Sequence, residues 1–140
     1  MIKFNFATDF VLQNERTINR LLVFISSKED RTISKLHYHF VSKSKIIEIN
    51  KSHLSHDYST DVITFDYSDA NTIIAEAFIC PEETLINAEV FYQSIEDEML
   101  RVVIHALLHL CGYDDKTKLG SSEMRAKEDF YINEYHTSFK

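Results

Sequence analysis

Two histidines, His105 and His109, lie four residues apart near the end of an apolar segment. On an α-helix, residues with this spacing lie one turn apart on the same face, so both imidazole rings can bind one ion. Gly112 follows, and glycine permits the left-handed turn that ends a helix and reverses the chain. The reversed chain can carry an acidic side chain back as a third ligand. The spacing therefore predicts a catalytic metal site with three protein ligands and one open side.

Two neighbouring acids, Asp114 and Asp115, are candidates for the third ligand. Asp115 is favoured because it follows His109 by six residues, the offset of the third histidine in the metzincin motif H-E-x-x-H-x-x-G-x-x-H. Asp114 is then a supporting or turn residue. Histidine nitrogen and carboxylate oxygen suit zinc, with nickel, manganese or iron as other occupants, and we expect one Zn²⁺ per subunit. Three protein ligands leave a position for water, whose pKa the ion lowers toward about 7, and this water is the expected nucleophile.

The residue after the first histidine separates this chain from the zincin metalloproteases. A zincin has a glutamate there, which acts as the general base for peptide hydrolysis. This chain has Ala106 at that position. Peptide hydrolysis by that route is therefore disfavoured. Metal-assisted attack on a phosphodiester fits better, because the ion can polarise the phosphoryl oxygen and stabilise the leaving group without an adjacent glutamate.

The length and composition indicate one domain, residues 1–140, in a reducing compartment. Cys80 and Cys111 are far apart in the sequence and match no zinc spacing, so we expect two free, apolar core residues. The net charge of −7 argues against a generic nucleic-acid binder but not against an enzyme with one basic patch. We expect a soluble, cytoplasmic protein without a membrane segment, because no signal peptide and no apolar run of about 20 residues is found.

The elements around the histidines predict an α+β fold, a single domain in which about five helices pack on a roughly four-stranded mixed sheet. The metal site lies on a central helix and the turn that follows it. Alternating apolar residues and β-branched runs predict strands over residues 2–7, 35–41, 61–65 and 72–80. The central helix runs from Ile95 to about Cys111 and begins with a capping box at Ser94 and Asp97. Because it is apolar on several sides, we expect it in the middle of the domain.

Capping residues and periodicity predict the other four helices. Asn14 caps a helix that runs to about Ser27. Pro81 opens another that runs to about Tyr92. A short helix over residues 46–54 is capped by Ser42 or Ser44, and a C-terminal helix begins at Ser121 or Ser122.

Three blocks of the sequence resemble the YbeY endoribonucleases, the bacterial rRNA maturation factors. Residues 105–115, HALLHLCGYDD, resemble the signature H-G-x-L-H-L-x-G-Y-D-H. Residues 59–65, STDVITF, resemble P-T-D-V-L-S-F, and residues 49–50, IN, resemble the L-N that precedes it. Residues 123–128, EMRAKE, resemble the closing E-x-M-x-x-x-E helix. The order and spacing of these blocks, from residue 49 to about 130, make the resemblance specific.

The resemblance implies a metal-dependent endoribonuclease specific for single-stranded RNA. Such an enzyme acts with ribosomal subunits in maturation of the small-subunit rRNA 3′ end and in ribosome quality control. The resemblance assigns three zinc ligands to His105, His109 and position 115, where Asp115 stands in place of histidine and gives the site one more negative charge. Leu54 stands where the family pattern has an arginine that faces the substrate phosphate. Nearby candidates for that contact with RNA are Lys51, His53 and His56.

Two further groups of residues are candidates for supporting roles. The acid–base candidates are Asp61, Glu76 and Glu82. The candidate phosphate contacts are Lys43, Lys45, Arg101, Lys116 and Lys118.

Two other functions compete with the nuclease. One alternative function is a ribosome-assembly or RNA-binding factor in which the metal is mainly structural. The other is a zincin-like metalloprotease, which keeps the histidine spacing but lacks the base.

Overall fold

The sequence prediction of an α+β fold with four strands and five helices is confirmed by the computed structural model, which describes residues 1–54 and 60–140. The strands are β1 (Ile2–Phe6), β2 (Thr32–Phe40), β3 (Val62–Asp66) and β4 (Thr72–Ile79). The helices are α1 (Glu15–Lys28), α2 (Lys43–Leu54), α3 (Pro81–Val90), α4 (Ile95–Leu110) and α5 (Lys118–Glu134), and a π-helical turn over Tyr135–Phe139 follows α5.

The sheet is mixed, with the strand order β1-β2-β4-β3. β2 pairs in parallel with both β1 and β4, whereas β3 pairs with β4 in the antiparallel direction. The antiparallel pair is connected by the short turn between Asp66 and Thr72. α1 connects the parallel strands β1 and β2, and the chain between the parallel strands β2 and β4 passes through α2 and β3, so both parallel pairs have the crossover connection that parallel pairing requires.

One face of the sheet carries the main core. Leu36, Tyr38 and Phe40 of β2 point to this face with alternate residues of β4, and α1, α4 and α5 cover it. In α4, Val103, Ile104 and the neighbouring apolar residues are buried on nearly every side, so the helix is central as its composition predicts. Arg101 and His105 of α4 are half-buried on the side that faces α5, where both contact Glu128.

The opposite face of the sheet is covered in part by α2. Ile46 and Ile49 of α2 pack against Ile63 of β3 in a second, smaller core. The strip of β2 and β4 outside this cluster carries polar side chains that are half-buried, among them His37, His39 and Glu76. We call this strip, with its neighbours on β1, the open face.

Two of the predicted helix starts are wrong in detail. Asn14 is the residue before α1, but its backbone is left-handed (φ 58°) and its side chain accepts no capping hydrogen bond. The C-terminal helix α5 begins earlier than Ser121, because Thr117 is its cap and accepts a hydrogen bond from the Gly120 amide at 2.9 Å. Thr117 was missed because it lies before any apolar periodicity.

The predicted caps at Ser94 and Ser42 and the two free cysteines are confirmed. Ser94 accepts a hydrogen bond from the Asp97 amide at 3.0 Å, and Ser42 accepts one from the Lys45 amide at 3.2 Å. Cys80 and Cys111 are free and buried, and burial raises the pKa of the Cys111 thiol to about 11. Within the described ranges, none of the helices combines the length and the apolar character needed to span a membrane.

Candidate active site

The end of α4 carries the left-handed glycine turn that the sequence predicts. Gly112 has φ +106°, and its amide donates to the His109 carbonyl at 3.1 Å. The Tyr113 amide donates back to the Leu108 carbonyl at 3.1 Å, which completes a Schellman motif. Among the described residues, a Cβ at Gly112 would meet only the Arg31 side chain, at 3.9 Å, so the positive φ rather than lack of space calls for glycine.

Two residues from the turn after α1 fix this reversal in place. The Arg31 guanidinium donates to the Cys111 carbonyl at 3.0 Å. The carboxylate of Glu29 accepts hydrogen bonds from Tyr113 (2.8 Å), Tyr131 (2.5 Å) and Lys127 (3.2 Å). Burial acts to raise the pKa of Glu29, but these three hydrogen bonds outweigh it and hold the pKa below its usual value. The turn is thereby joined to both α1 and α5.

The chain's other glycine brings α5 against the turn. A Cβ at Gly120 would collide with the Asp114 carbonyl oxygen, so only glycine permits this approach. The Asp114 carboxylate accepts a hydrogen bond from the Lys116 amide at 2.8 Å, which is the geometry of an Asx turn. Asp114 is therefore the turn residue of the pair, and Asp115 is the acid that faces α4.

His105 lies between two carboxylates. Its Nδ1 is 2.6 Å from Oε2 of Glu128 on α5, and its Nε2 is 3.5 Å from Oδ2 of Asp115. Because an ionised carboxylate can only accept, Nδ1 carries the proton in the bond to Glu128. Burial acts to lower the pKa of His105, but the hydrogen bond and charge of Glu128, with the charges of Asp115 and Asp61, outweigh it and raise the pKa.

Glu128 was not assigned a role from the sequence. It is 4% exposed and accepts a second hydrogen bond, at 2.9 Å, from Arg101, which also pairs with Asp129 at 2.7 Å. A carboxylate that holds the second nitrogen of a histidine is the usual support of a metal-binding imidazole. The sequence signal was only the position of Glu128 in the closing helix motif, because its contact with His105 arises from the packing of α5 on α4.

His109 is one helical turn beyond His105 and is exposed. In the part of the chain that the structure describes, no hydrogen bond or ion pair joins His109 to His105 or Asp115. The structure thus brings together two of the three predicted ligands. The helical spacing leaves the third within reach through side-chain rotation.

A cavity of about 240 Å³ opens beside His105 and Asp115. Asp61, the residue before β3, contributes a carboxyl group whose pKa burial raises, although the charge of His105 acts in the opposite direction. Arg125 also lines the cavity, and in the described residues it forms no ion pair. Asp61 was predicted as an acid–base candidate, whereas Arg125 was missed because an exposed arginine on a helix carries no distinctive sequence signal.

The other predicted phosphate contacts and acid–base candidates are spread over different parts of the fold. Arg101 lines the cavity, but Glu128 and Asp129 occupy its guanidinium. The remaining candidates line no part of the cavity within the described residues, and several of them are paired with other side chains away from it. Lys43 pairs with Glu83, Lys45 with Glu48, and Glu82 accepts from the Lys43 amide. Lys51, His53, Lys116 and Lys118 are exposed. His56 and the side chain of Leu54 lie outside the described residues.

A second set of metal-ligating side chains lies on the open face of the sheet. Ligand atoms of His37, His39 and Glu76 all lie within 4.8 Å of one another, so this group could hold a metal ion. Glu76 was predicted as an acid–base candidate for the active site, but it belongs to this group instead and pairs with His39 at 3.1 Å. Burial, followed by the charges of Lys35 and Lys3, lowers the pKa of His37.

Known proteins resemble this chain over nearly its whole length. The family model described as endoribonuclease YbeY matches residues 5–136. The endoribonuclease YbeY of Flavobacterium johnsoniae is 38% identical over 136 residues, which cover 97% of this chain and 98% of that protein. The endoribonuclease YbeY of Karelsulcia muelleri is 38% identical over 132 residues, or 94% of each chain.

A solved structure shares the fold. The solution structure of TM1509 from Thermotoga maritima superposes with a TM-score of 0.67 and is 31% identical in sequence. The match covers 96% of this chain and 88% of that one. From the matched family model and the full-length relatives together, we conclude that this chain belongs to the endoribonuclease YbeY family.

Proposed function

We propose that the chain is a metal-dependent endoribonuclease that cleaves single-stranded RNA. Its physiological substrate is rRNA on ribosomal subunits in the cytoplasm, where it matures the small-subunit 3′ end and takes part in ribosome quality control. Family membership supports the reaction class. The observation that carries the proposal within this chain is His105, held by Glu128 on one nitrogen and directed at Asp115 by the other.

His105, His109 and Asp115 are the proposed metal ligands, with zinc as the proposed ion. Two ligands of a tetrahedral ion with bonds of about 2.0–2.2 Å lie about 3.4 Å apart. Nε2 of His105 and Oδ2 of Asp115 are separated by 3.5 Å, which agrees with this spacing. The bond to Glu128 keeps the proton on Nδ1 and leaves the lone pair of Nε2 for the ion. When bound, a divalent ion supplies a lowered pKa for a coordinated water and polarisation of a phosphoryl oxygen.

Asp61 is the proposed acid–base group. Its carboxyl lines the same cavity as His105, and burial raises its pKa, so it holds a proton more readily than an ordinary aspartate. A carboxyl group in this position can take a proton from the attacking water and return it to the leaving oxygen. Hydrogen bonds from the backbone amides of Asp61 and Val62 act to lower that pKa and orient the group.

Arg125 is the proposed contact for the scissile phosphate. The family arginine is replaced by Leu54, so another cation has to hold the phosphate. Arg101 is already engaged by two carboxylates, whereas Arg125 reaches the same cavity without an ion pair in the described residues. Lys51 and His53 are proposed as weaker contacts with the RNA on either side, because both are exposed on α2.

The structure gives a reason against the metalloprotease alternative. Ala106, which occupies the position of the zincin glutamate, is fully buried in the main core between α4 and the sheet. A side chain at this position points away from the cavity, so it could not serve a substrate there. Chelator-sensitive cleavage of a peptide by the purified protein would be needed to restore that alternative.

Cleavage of a fluorogenic single-stranded RNA by the zinc-loaded protein tests the proposal. We expect cleavage that a chelator abolishes, and we expect the His109→Ala variant to lose activity while the melting temperature of the metal-free protein is unchanged. A His136→Gln variant, which changes an exposed histidine paired with Asp97, is the matched control. If the loaded and chelated proteins leave RNA equally intact, the nuclease proposal fails. The assembly-factor alternative would then predict binding to ribosomal subunits and strong destabilisation by the chelator.

A further inference from the structure

The open face of the sheet gathers three metal ligands by strand register alone. On β2, Leu36, Tyr38 and Phe40 point into the main core, so His37 and His39, two residues apart, share the opposite face. On the neighbouring parallel strand β4, Glu76 is the register partner of His37. The backbone therefore places two imidazoles and one carboxylate next to one another on one surface.

The distances among these side chains are those of a nearly assembled site. Nε2 of His39 is 3.1 Å from Oε1 of Glu76, and all three ligand atoms lie within 4.8 Å of one another. Ligand separations of about 3.4 Å are expected around a tetrahedral ion with bonds near 2.0–2.2 Å. Small side-chain rotations would suffice to close the group around one ion.

An ordinary hydrogen-bond network accounts for only part of the group. The contact between His39 and Glu76 gives each of those side chains one hydrogen-bond partner. Nε2 of His37, in contrast, is buried and has no hydrogen-bond partner in the described residues. A buried polar nitrogen without a partner costs free energy, and a bound cation offers a partner to one ring nitrogen of His37.

Neighbouring residues orient His39. Its Nδ1 lies 3.3 Å from the side-chain amide of Asn5 on β1, and its ring stacks on Phe78 at 4.7 Å between centroids. When Nε2 binds an ion, Nδ1 carries the proton and donates a hydrogen bond. Asn5 can present its amide oxygen to accept that bond, since the two ends of the amide are nearly interchangeable in shape. Metal-binding histidines usually have such a partner on the second nitrogen.

We propose that His37, His39 and Glu76 form a second divalent-cation site, which links β2 to β4 and is separate from the site on α4. The two-histidine, one-carboxylate donor set suits zinc, cobalt or nickel rather than magnesium or calcium, which take oxygen ligands. Lys3 and Lys35 act electrostatically on His37, and their positive charges oppose a cation bound beside it. A bound ion raises the melting temperature, because it binds the folded sheet and not the separated strands.

Cobalt binding to the full-length protein tests this second site without any measurement of RNA cleavage. A His105→Ala/His109→Ala variant removes the proposed ligands on α4, and we expect it to bind one equivalent of Co²⁺ with visible d–d absorption. Adding Glu76→Gln, which keeps an oxygen that can accept from His39, should abolish that equivalent while the metal-free melting temperature stays unchanged. Adding His136→Gln instead should leave it intact.

Two results would overturn the second site. One is the absence of Co²⁺ binding in the His105→Ala/His109→Ala variant. The other is an equivalent of Co²⁺ that persists after Glu76→Gln. If Glu76→Gln lowers the metal-free melting temperature, His37→Gln provides the second variant, and its bound cobalt must likewise be lost. Failure of the second site would leave the proposed nuclease untouched, because the ligands on α4 are absent from every variant in this experiment.

Discussion

Replacing Glu128 with glutamine changes the support behind His105 without changing its shape. The two oxygens of Glu128 now accept separately, one from His105 at 2.6 Å and one from Arg101 at 2.9 Å. A glutamine has one oxygen and one NH₂ group, so one of these donors must face another donor. The variant therefore loses either the orientation of His105 or the tie to Arg101, and in both cases it loses the negative charge.

The expected magnitude follows from these contacts. Loss of a carboxylate that supports a metal-binding histidine typically costs about 10–100-fold in metal affinity, or about 1.4–2.8 kcal/mol. The metal-free protein should lose about 2 kcal/mol of unfolding free energy, since hydrogen bonds to charged groups contribute about 1.5–3 kcal/mol. Arg101 keeps its pair with Asp129, which limits the loss.

The stability effect should depend on pH with a definite sign. The pKa of His105 is raised in the folded protein, so its charged pair with Glu128 contributes fully below the ordinary histidine pKa of about 6.5. That contribution is lost as the pH rises through the raised value. The difference between the wild type and Glu128→Gln should therefore be larger at about pH 6 than at about pH 9 in the metal-free protein.

Competition with a chromophoric chelator measures the zinc affinity, and urea denaturation measures the stability. The zinc affinities are measured in proteins that also carry Glu76→Gln, because this change removes the proposed second site and leaves the site on α4. Asp129→Asn is the matched control, because Asp129 also pairs with Arg101 but is 58% exposed and does not touch His105. We expect this control to change stability by less than about 1 kcal/mol and zinc affinity hardly at all. Unchanged zinc affinity in Glu128→Gln, or an equal loss in Asp129→Asn, would refute the reasoning.

Three further substitutions probe the surroundings of the site. Glu29→Gln should lower the free energy of unfolding by about 1.5 kcal/mol near neutral pH, since hydrogen bonds hold the pKa of Glu29 low. Measured by urea denaturation, the difference from the wild type should disappear as the pH falls through that lowered pKa. A difference that persists at that pH would contradict the prediction. Asp61→Asn should lower kcat for RNA cleavage about 100-fold without lowering the melting temperature, and unchanged kcat would remove Asp61 from the reaction. Arg125→Gln should raise KM rather than lower kcat, and it should reduce the slope of log RNA affinity against log salt concentration by about 0.7. The control Lys45→Gln changes a surface residue paired with Glu48 and should alter neither KM nor that slope.

Much of the site could be predicted because its signals are local. The spacing of His105 and His109, the left-handed turn at Gly112 and the capping box at Ser94 all lie within one helix and its ends. The apolar composition of α4 likewise predicted its central place. Such features depend on backbone geometry over a few residues, and tertiary packing does not change them.

The missing parts of the site depend on contacts between distant segments. Glu128 reaches His105 across 23 positions of sequence, through the packing of α5 on α4. The group on the open face needs β4, rather than β3, to be the neighbour of β2, and no local pattern specifies that strand order. The alternation of His37 and His39 did carry a signal, because a period of two places both on one face of a strand.

Zinc-edge anomalous diffraction from crystals of the zinc-loaded protein tests the central claim most directly. We predict an anomalous peak with ligand distances of about 2.0–2.2 Å to Nε2 of His105, to a ring nitrogen of His109 and to the Asp115 carboxylate, while Glu128 remains on Nδ1 of His105. A fully loaded protein with no peak at the end of α4, or with a peak there that Asp115 does not contact, would contradict the proposed metal centre.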